Sequence, residues 1–127
     1  MEFIFQIQFY HPFNVKGIEV LPVKQYHGPR CSVGYRIGKF AYSTDVKTMD
    51  KKGFELLKGI ETWVVECTTD KEAIAHVSLE KIIEWVEYIK PKHTYLTHMG
   101  TEWDYDKLSN KLPKSIEPAY DGMKINS

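Results

Sequence analysis

Residues 63–98, WVVECTTDKEAIAHVSLEKIIEWVEYIKPKHTYLTH, alternate between strand-like and helix-like patterns and decide the fold class. The short apolar run Trp63–Cys67 is bounded by polar residues and predicts a buried strand. Ser78 suits the N-cap of a helix that Pro91 ends, and Thr94–Thr97 follows as the next strand. The apolar side chains of that helix form one face at Leu79, Ile82, Ile83, Val86 and Ile89. A strand–helix–strand unit of this kind predicts a sheet with helices packed on it.

The residues that precede this unit predict further strands. Phe3–Phe9 places its apolar side chains with a period of two, which is typical of a strand with one apolar face. Gly17–Lys24 is predicted as a second strand. Val33–Ile37 and Phe40–Ser43 flank Gly38-Lys39, a pair that suits a type II′ hairpin because the glycine comes first.

Two shorter helices and an extended end complete the predicted fold. Asp50 is placed to begin a helix that ends near Gly59, and Tyr105–Leu112 is predicted as another. Ile116–Ile125 is predicted to be extended around an Asp-Gly turn. The fold class is therefore α/β, with a mixed β-sheet and about three helices. Three helices are few for a sheet covered on both sides, so we expect one sheet face to lack a helical cover.

Length and composition favour a single domain over residues 1–127 and exclude several functions. Hydrophobic residues make up 43% of the chain, which is enough to build a core. The 17 basic and 17 acidic side chains balance, which argues against electrostatic binding of nucleic acid or an anionic membrane. No apolar run approaches the roughly 18 residues that a membrane helix needs. Cys31 and Cys67 form no CxxC pair, so we expect a reduced protein of the cytoplasm.

Three residues that end predicted strands form a candidate metal site. His27 ends the second strand, Asp45 follows Phe40–Thr44, and His98 follows Thr94–Thr97. Open α/β sheets place functional groups at strand ends, and imidazole with carboxylate suits zinc, manganese or iron. Two simpler interpretations remain: Asp45 caps the next turn, and each histidine is a hydrogen-bonded loop residue.

The other histidines divide into one candidate and two surface residues. His76 precedes the helix cap Ser78 by two residues, which would present it near a helix N-terminus, where anions bind. An exposed loop position is the alternative for His76. His11 precedes a proline in a predicted loop and His93 lies in a charged stretch, so both are expected on the surface.

Several blocks of the chain resemble one group of enzymes. The blocks are His27–Pro29, Gly34–Gly38, Ala41–Val46, Ala75–Glu80, Lys90–Met99 and Pro118–Met123. Together they resemble the second half of metallo-β-lactamase-fold hydrolases over about residues 13–125. Within that superfamily the chain is most similar to the phosphoribosyl 1,2-cyclic phosphate phosphodiesterases and their relatives.

The resemblance implies a role for four residues. The family holds two metal ions, Mn²⁺ or Zn²⁺ here, in a site between two sheets. His27 would be the third histidine of the first metal site, Asp45 the catalytic carboxylate that bridges both ions, and His98 the histidine of the second site. His76 would bind the substrate phosphate or act as general acid toward the leaving group. The substrate would be a small phosphodiester.

The resemblance also implies that the chain corresponds to the C-terminal half of a four-layer αββα sandwich. The HxHxDH motif of the family belongs to the N-terminal half and does not occur in these 127 residues. One hypothesis is a phosphodiesterase-like half that needs a partner polypeptide carrying the N-terminal half. The alternative is a catalytically inactive remnant or interaction module. Such a module would form a homodimer through its exposed sheet face.

Overall fold

The described residues form one sheet of seven strands, which neighbour one another in chain order. The computed structural model describes residues 6–69, 73–101 and 103–126. The strands are β1 (Phe13–Val15), β2 (Ile18–His27), β3 (Arg30–Ile37), β4 (Phe40–Ser43), β5 (Thr62–Glu66), β6 (His93–Thr97) and β7 (Ile116–Pro118). The helices of the described residues are α1 (Lys51–Leu57), α2 (Leu79–Ile89) and α3 (Tyr105–Lys111). The mixed sheet with three helices confirms the predicted α/β class.

The sheet changes from antiparallel to parallel at β4. Strands β1 to β4 pair antiparallel through hairpins, whereas β4, β5, β6 and β7 pair parallel, with one helix in each connection. The predicted Gly38-Lys39 turn joins Ile37 to Phe40, and Gly38 has a φ of 57°, as a type II′ turn requires. Because β2 and β4 both run antiparallel to β3, they run in the same direction as β5, β6 and β7. The carboxyl ends of these five strands therefore lie at the same end of the sheet.

The helices begin where short polar side chains precede them. Ser78 is the N-cap of α2, and its Oγ accepts a hydrogen bond from the backbone N–H of Lys81 at 3.4 Å. Asp104 caps α3 in the same way. Asp50 is the predicted N-cap of α1, but its carboxylate accepts instead from the hydroxyl of Tyr26, at 3.1 Å to each oxygen. None of the described helices is long and apolar enough to cross a membrane.

The hydrophobic core lies between the helices and one face of the sheet. Apolar side chains of neighbouring strands meet there with those of α1, α2 and α3. Members from the strands include Ala41, Trp63, Val65, Leu96 and Ile116. The indole N–H of Trp63 donates to Ser43 Oγ at 2.9 Å, which satisfies its one polar atom inside the core.

The opposite sheet face carries a row of large side chains outside that core. Cross-strand pairing aligns Tyr35, Tyr42, Val64 and Tyr95 on neighbouring strands. These residues do not belong to the core that the helices share with the other face. Tyr42 is 41% exposed, and Ile37, on the same face, is 38% exposed. Within the described part of the chain, the sheet is therefore covered by helices on one face.

Two predicted extended segments differ from the structure. Phe3–Phe5 lie outside the described residues, and residues 6–10 form no strand because they turn: His11 N–H donates to the carbonyl of Gln8, and Tyr10 has a φ of 68°. The edge strand is β1 instead. At the other end, only Ile116–Pro118 of the predicted segment 116–125 pairs with a neighbour, since β6 ends there.

Candidate metal centre

The candidate residues meet at the end of the sheet that holds the carboxyl ends of β2, β4, β5, β6 and β7. His27 is the last residue of β2, Asp45 follows β4 by two residues, and His98 directly follows β6. Asp45 and His98 have positive φ values of 54° and 51°, so the chain turns sharply away from the sheet at both positions. His76 reaches the same place from the loop before α2. The structure thus brings all four predicted site residues together.

Three of the four offer ligand atoms at metal-binding separation. One ring nitrogen each of His27 and His76 and a carboxylate oxygen of Asp45 all lie within 4.8 Å of one another. His98 joins this cluster through Asp45, with 3.5 Å between His98 Nε2 and Asp45 Oδ1. The ring centroid of His76 lies 5.0 Å from that of His27 and 5.7 Å from that of His98. The three residues whose ligand atoms lie within 4.8 Å of one another include His76, whereas the predicted metal ligands are His27, Asp45 and His98.

His27 and His76 are both oriented through a hydrogen bond at ring nitrogen Nδ1. His27 Nδ1 lies 2.9 Å from the carbonyl oxygen of Ala75, which can only accept, so Nδ1 carries the proton. His76 Nδ1 lies 2.7 Å from Glu66 Oε2. Metal-binding histidines in proteins usually donate from one nitrogen to a carbonyl or carboxylate in this way. The arrangement leaves Nε2 of each ring with a free lone pair for an ion or a proton.

Glu66 holds His76 in place from inside the protein. It ends β5, its side chain has no exposed surface, and it also accepts hydrogen bonds from Val46 N–H and from Thr68 Oγ1 at 2.8 Å. Both carboxylate oxygens are therefore used, as a buried carboxylate requires. Glu66 is not among the predicted site residues. Its signal was a lone acid within the apolar run WVVEC.

The backbone around Asp45 and His98 is fixed by hydroxyl groups. Ser32 Oγ donates to the carbonyl of Asp45 at 2.6 Å, and Thr68 Oγ1 lies 2.9 Å from the carbonyl of His98. Gly100 N–H donates to the carbonyl of Thr68 at 3.1 Å. A Cβ at position 100 would lie 2.5 Å from that carbonyl oxygen, so the approach needs glycine.

The site is open to solvent and its donors suit a transition metal. The side chains of Asp45 and His98 are 51% and 47% exposed, and that of His76 is 24% exposed. Imidazole nitrogen and carboxylate oxygen are the usual protein ligands of Zn²⁺ and also bind Mn²⁺. With two anchored imidazoles beside a carboxylate, the residues present fit a divalent ion.

The chain is similar to solved and curated proteins over most of its length. It matches a crystal structure of a diphosphatase from the PhnP family with a TM-score of 0.89 and 28% identity, covering 94% of this chain and 47% of that one. Zn²⁺-bound PqqB from Methylobacterium extorquens shares the fold, with a TM-score of 0.73, 13% identity and coverage of 95% and 55%. An octanoyltransferase of Porphyromonas gingivalis is 28% identical over 115 residues, which are 89% of this chain and 23% of that protein.

The chain therefore spans about half of the diphosphatase and less than a quarter of the octanoyltransferase. The family model of the beta-lactamase superfamily domain matches residues 3–99, which include His27, Asp45, His76 and His98. The sheet topology, the site at the strand ends and this family match all indicate the same superfamily. The chain belongs to the beta-lactamase superfamily.

Proposed function

We propose that this chain supplies one side of the active site of a metal-dependent hydrolase that cleaves small phosphodiesters or diphosphates. The observation that carries the proposal is the pair of histidines anchored at Nδ1, each with a ring nitrogen within 4.8 Å of a carboxylate oxygen of Asp45. Ligands from polypeptide outside these residues, carrying HxHxDH, would complete the site. The similarity to a PhnP-family diphosphatase supports phosphoryl chemistry.

Each residue has a distinct proposed task. His27, Asp45 and His98 would hold the metal, because a carboxylate oxygen of Asp45 lies within 4.8 Å of a ring nitrogen of His27 and Asp45 Oδ1 lies 3.5 Å from His98 Nε2. A bound Mn²⁺ or Zn²⁺ would supply a nucleophilic water and neutralise charge on the phosphate. His76 binds the phosphate or protonates the leaving oxygen from Nε2. The Glu66 carboxylate orients the His76 ring for this task through Nδ1.

Metal content and hydrolysis test the proposal together. The purified chain is stripped of metal, titrated with Mn²⁺ or Zn²⁺, and analysed for bound ion by elemental mass spectrometry. Hydrolysis of bis(4-nitrophenyl) phosphate is then measured with and without a separate polypeptide that carries HxHxDH. We expect His27→Ala and Asp45→Ala to lose the ion. His76→Ala should keep most of the ion and lose activity in the completed enzyme.

His93→Ala is the matched control, because His93 is an exposed histidine of β6 at the opposite end of that strand from His98. It should leave both metal content and hydrolysis unchanged. The proposal fails if the completed protein hydrolyses no phosphodiester or diphosphate at any metal concentration. It also fails if His93→Ala lowers metal binding as much as His27→Ala.

A second candidate function is self-association through the sheet face that the helices leave uncovered. Tyr42 and Ile37 are 41% and 38% exposed there, and large apolar groups in water favour association at about 25 cal/mol per Å² buried. Sedimentation velocity would show a homodimer that Tyr42→Lys converts to monomer. A chain that stays monomeric at micromolar concentration rules this candidate out. A partner half that binds this face should suppress the dimer.

We further propose that the protein works in a reducing compartment such as the cytoplasm. Cys31 is exposed on β3, Cys67 is buried, and the two do not form a disulfide with each other. An exposed thiol is readily oxidised outside the cell. Thiol alkylation of Cys31 in freshly lysed cells should be complete without reductant; blocked Cys31 would contradict this placement.

A further inference from the structure

A fully buried glutamine of β2 contacts the turn that carries Asp45. Gln25 has no exposed surface. Its side-chain nitrogen Nε2 donates to the carbonyl of Thr44 at 2.9 Å and to Ser32 Oγ at 3.1 Å. A carbonyl oxygen only accepts, so the atom that faces Thr44 is the amide nitrogen, and both of its N–H groups are used. The glutamine therefore supplies two fixed donors beside a predicted metal ligand.

The hydrogen bonds continue from Gln25 to the backbone of Asp45 itself. Ser32 Oγ donates to the carbonyl of Asp45 at 2.6 Å. A serine hydroxyl has one proton, which it can rotate toward different acceptors. Because an N–H of Gln25 occupies a lone pair of Ser32 Oγ, the hydroxyl proton is directed to the Asp45 carbonyl. Gln25 thus contacts the carbonyl of Thr44 directly and that of Asp45 through Ser32.

The turn depends on such contacts because its backbone conformation is uncommon. Asp45 has a φ of 54°, in the left-handed region that few residues with a side chain adopt. In this conformation Asp45 Oδ1 lies 3.5 Å from His98 Nε2, and a carboxylate oxygen lies within 4.8 Å of a ring nitrogen of His27. A change of this φ would move the carboxylate relative to both histidines.

The packing around Gln25 is less favourable than an apolar residue would give. Its Oε1 is buried and has no hydrogen-bond partner among the described residues, which is unfavourable for a polar atom. The side chain also lies against Gly34 of β3, where a Cβ would clash with Oε1. Val23, two residues earlier on the same face of β2, is buried and apolar. The two donors to the Asp45 turn are therefore what the glutamine contributes at this position.

We propose that Gln25 is a positioning residue of the metal centre. It acts with Ser32 to hold the turn after β4 in the conformation that brings the Asp45 carboxylate to the histidines. The inference rests on the proposed function, because it takes Asp45 as a ligand of the ion. Gln25 acts on that ligand only through the backbone of residues 44 and 45.

Amide hydrogen exchange tests the turn in the metal-free chain. The N–H groups of Val46 and Lys47 are both hydrogen-bonded inside the protein, so they report on the segment that follows Asp45. Gln25→Met keeps the length of the side chain and removes both donors. We expect the two amides to exchange about 10-fold faster relative to the slowest amides of β5, which report global unfolding. A merely global loss of stability would leave this ratio unchanged.

Titration with Mn²⁺ tests the consequence for the metal centre. Gln25→Met and Ser32→Ala should each weaken Mn²⁺ binding by about 10-fold. The double variant should lose little more than either single variant, because both residues act on the same turn. Thr94→Val is the control, since Thr94 is as buried as Gln25 but its hydroxyl has no hydrogen-bond partner among the described residues. It should change neither Mn²⁺ affinity nor exchange after Asp45.

The outcomes separate this inference from the proposed function. It is overturned if Gln25→Met leaves the relative exchange of Val46 and Lys47 unchanged, or if that variant binds Mn²⁺ as tightly as the wild type. A wild-type chain that binds no Mn²⁺ would contradict the proposed function, and the exchange rates would still decide whether Gln25 holds the turn. If Gln25→Met does not fold, Ser32→Ala, at a partly exposed residue, decides by the same two measurements.

Discussion

Replacing Glu66 with glutamine keeps the shape of a buried side chain and removes its charge. The amide oxygen can still accept from Val46 N–H, and the amide nitrogen can donate to Thr68 Oγ1, which becomes the acceptor. His76 Nδ1 then faces an N–H donor where the carboxylate oxygen had been. The ring must accept at Nδ1 and carry its proton on Nε2. Glu66→Gln is therefore expected to reverse the His76 tautomer.

The size of the effect on stability follows from the bonds that change. Glu66→Gln loses the charge assistance of the 2.7 Å bond to His76, and hydrogen bonds to charged groups contribute about 1.5–3 kcal/mol. Glu66→Ala leaves Val46 N–H and His76 Nδ1 without the fully buried carboxylate that accepts from them, so about 3–5 kcal/mol is expected. Both losses would be measured by urea unfolding, provided that the dependence of the free energy of unfolding on urea concentration has the same slope as in the wild type.

The functional consequence is read separately by NMR and by metal titration. Nitrogen-15 shifts of the imidazole distinguish a proton on Nδ1 from one on Nε2. Because His76 is proposed to bind the phosphate rather than the metal, Glu66→Gln should keep most of the bound ion. A loss of metal affinity of about 10- to 100-fold, typical when a ligand histidine loses its orienting carboxylate, would instead make His76 a metal ligand. Glu84→Gln is the control, because Glu84 is an exposed glutamate of α2 whose side chain is 54% exposed. A Glu66→Gln protein as stable as wild type, with the proton still on His76 Nδ1, would falsify the proposed orientation.

Two further predictions concern the scaffold. A Cβ on Gly34 would clash with Oε1 of the fully buried Gln25 and lie 3.1 Å from the carbonyl oxygen of Tyr42. Gly34→Ala should therefore destabilise the protein by about 1–3 kcal/mol in urea unfolding, and an unchanged midpoint would contradict this packing. The Tyr88 hydroxyl holds the pKa of Glu55 below its ordinary value by donating a hydrogen bond to it. A carboxyl group whose pKa is lower in the folded than in the unfolded state stabilises the fold at pH values above its unfolded-state pKa. That stabilisation is lost as the pH falls through the folded-state pKa. Tyr88→Phe should therefore lower Tm at pH 7 and have little effect in acid strong enough to protonate Glu55 in the folded protein. An equal loss of Tm under both conditions would rule out the charge as the cause.

Elements with strong local signals were predicted close to their observed bounds. The apolar face of α2, its N-cap Ser78 and the proline after it lie within the 14 residues 78–91, and the structure has this helix at Leu79–Ile89. The Gly38-Lys39 hairpin is likewise specified by its own two residues. Phe3–Phe9 shows the limit of periodicity, because residues 6–10 turn toward β2, where Tyr10 N–H donates to the carbonyl of Pro22.

The sequence by itself determined the superfamily, the α/β class and the four residues His27, Asp45, His76 and His98, because each follows or precedes a local element that its neighbours specify. Only the tertiary structure decided how those residues meet. Glu66 became a site residue because β5 buries its carboxylate below the His76 ring, 10 positions away in the chain. The tight grouping of His76 with His27 and Asp45 depends on the register in which β2, β3, β4 and β5 pair. That register is set by side chains packing across the whole sheet, which no local stretch of sequence encodes.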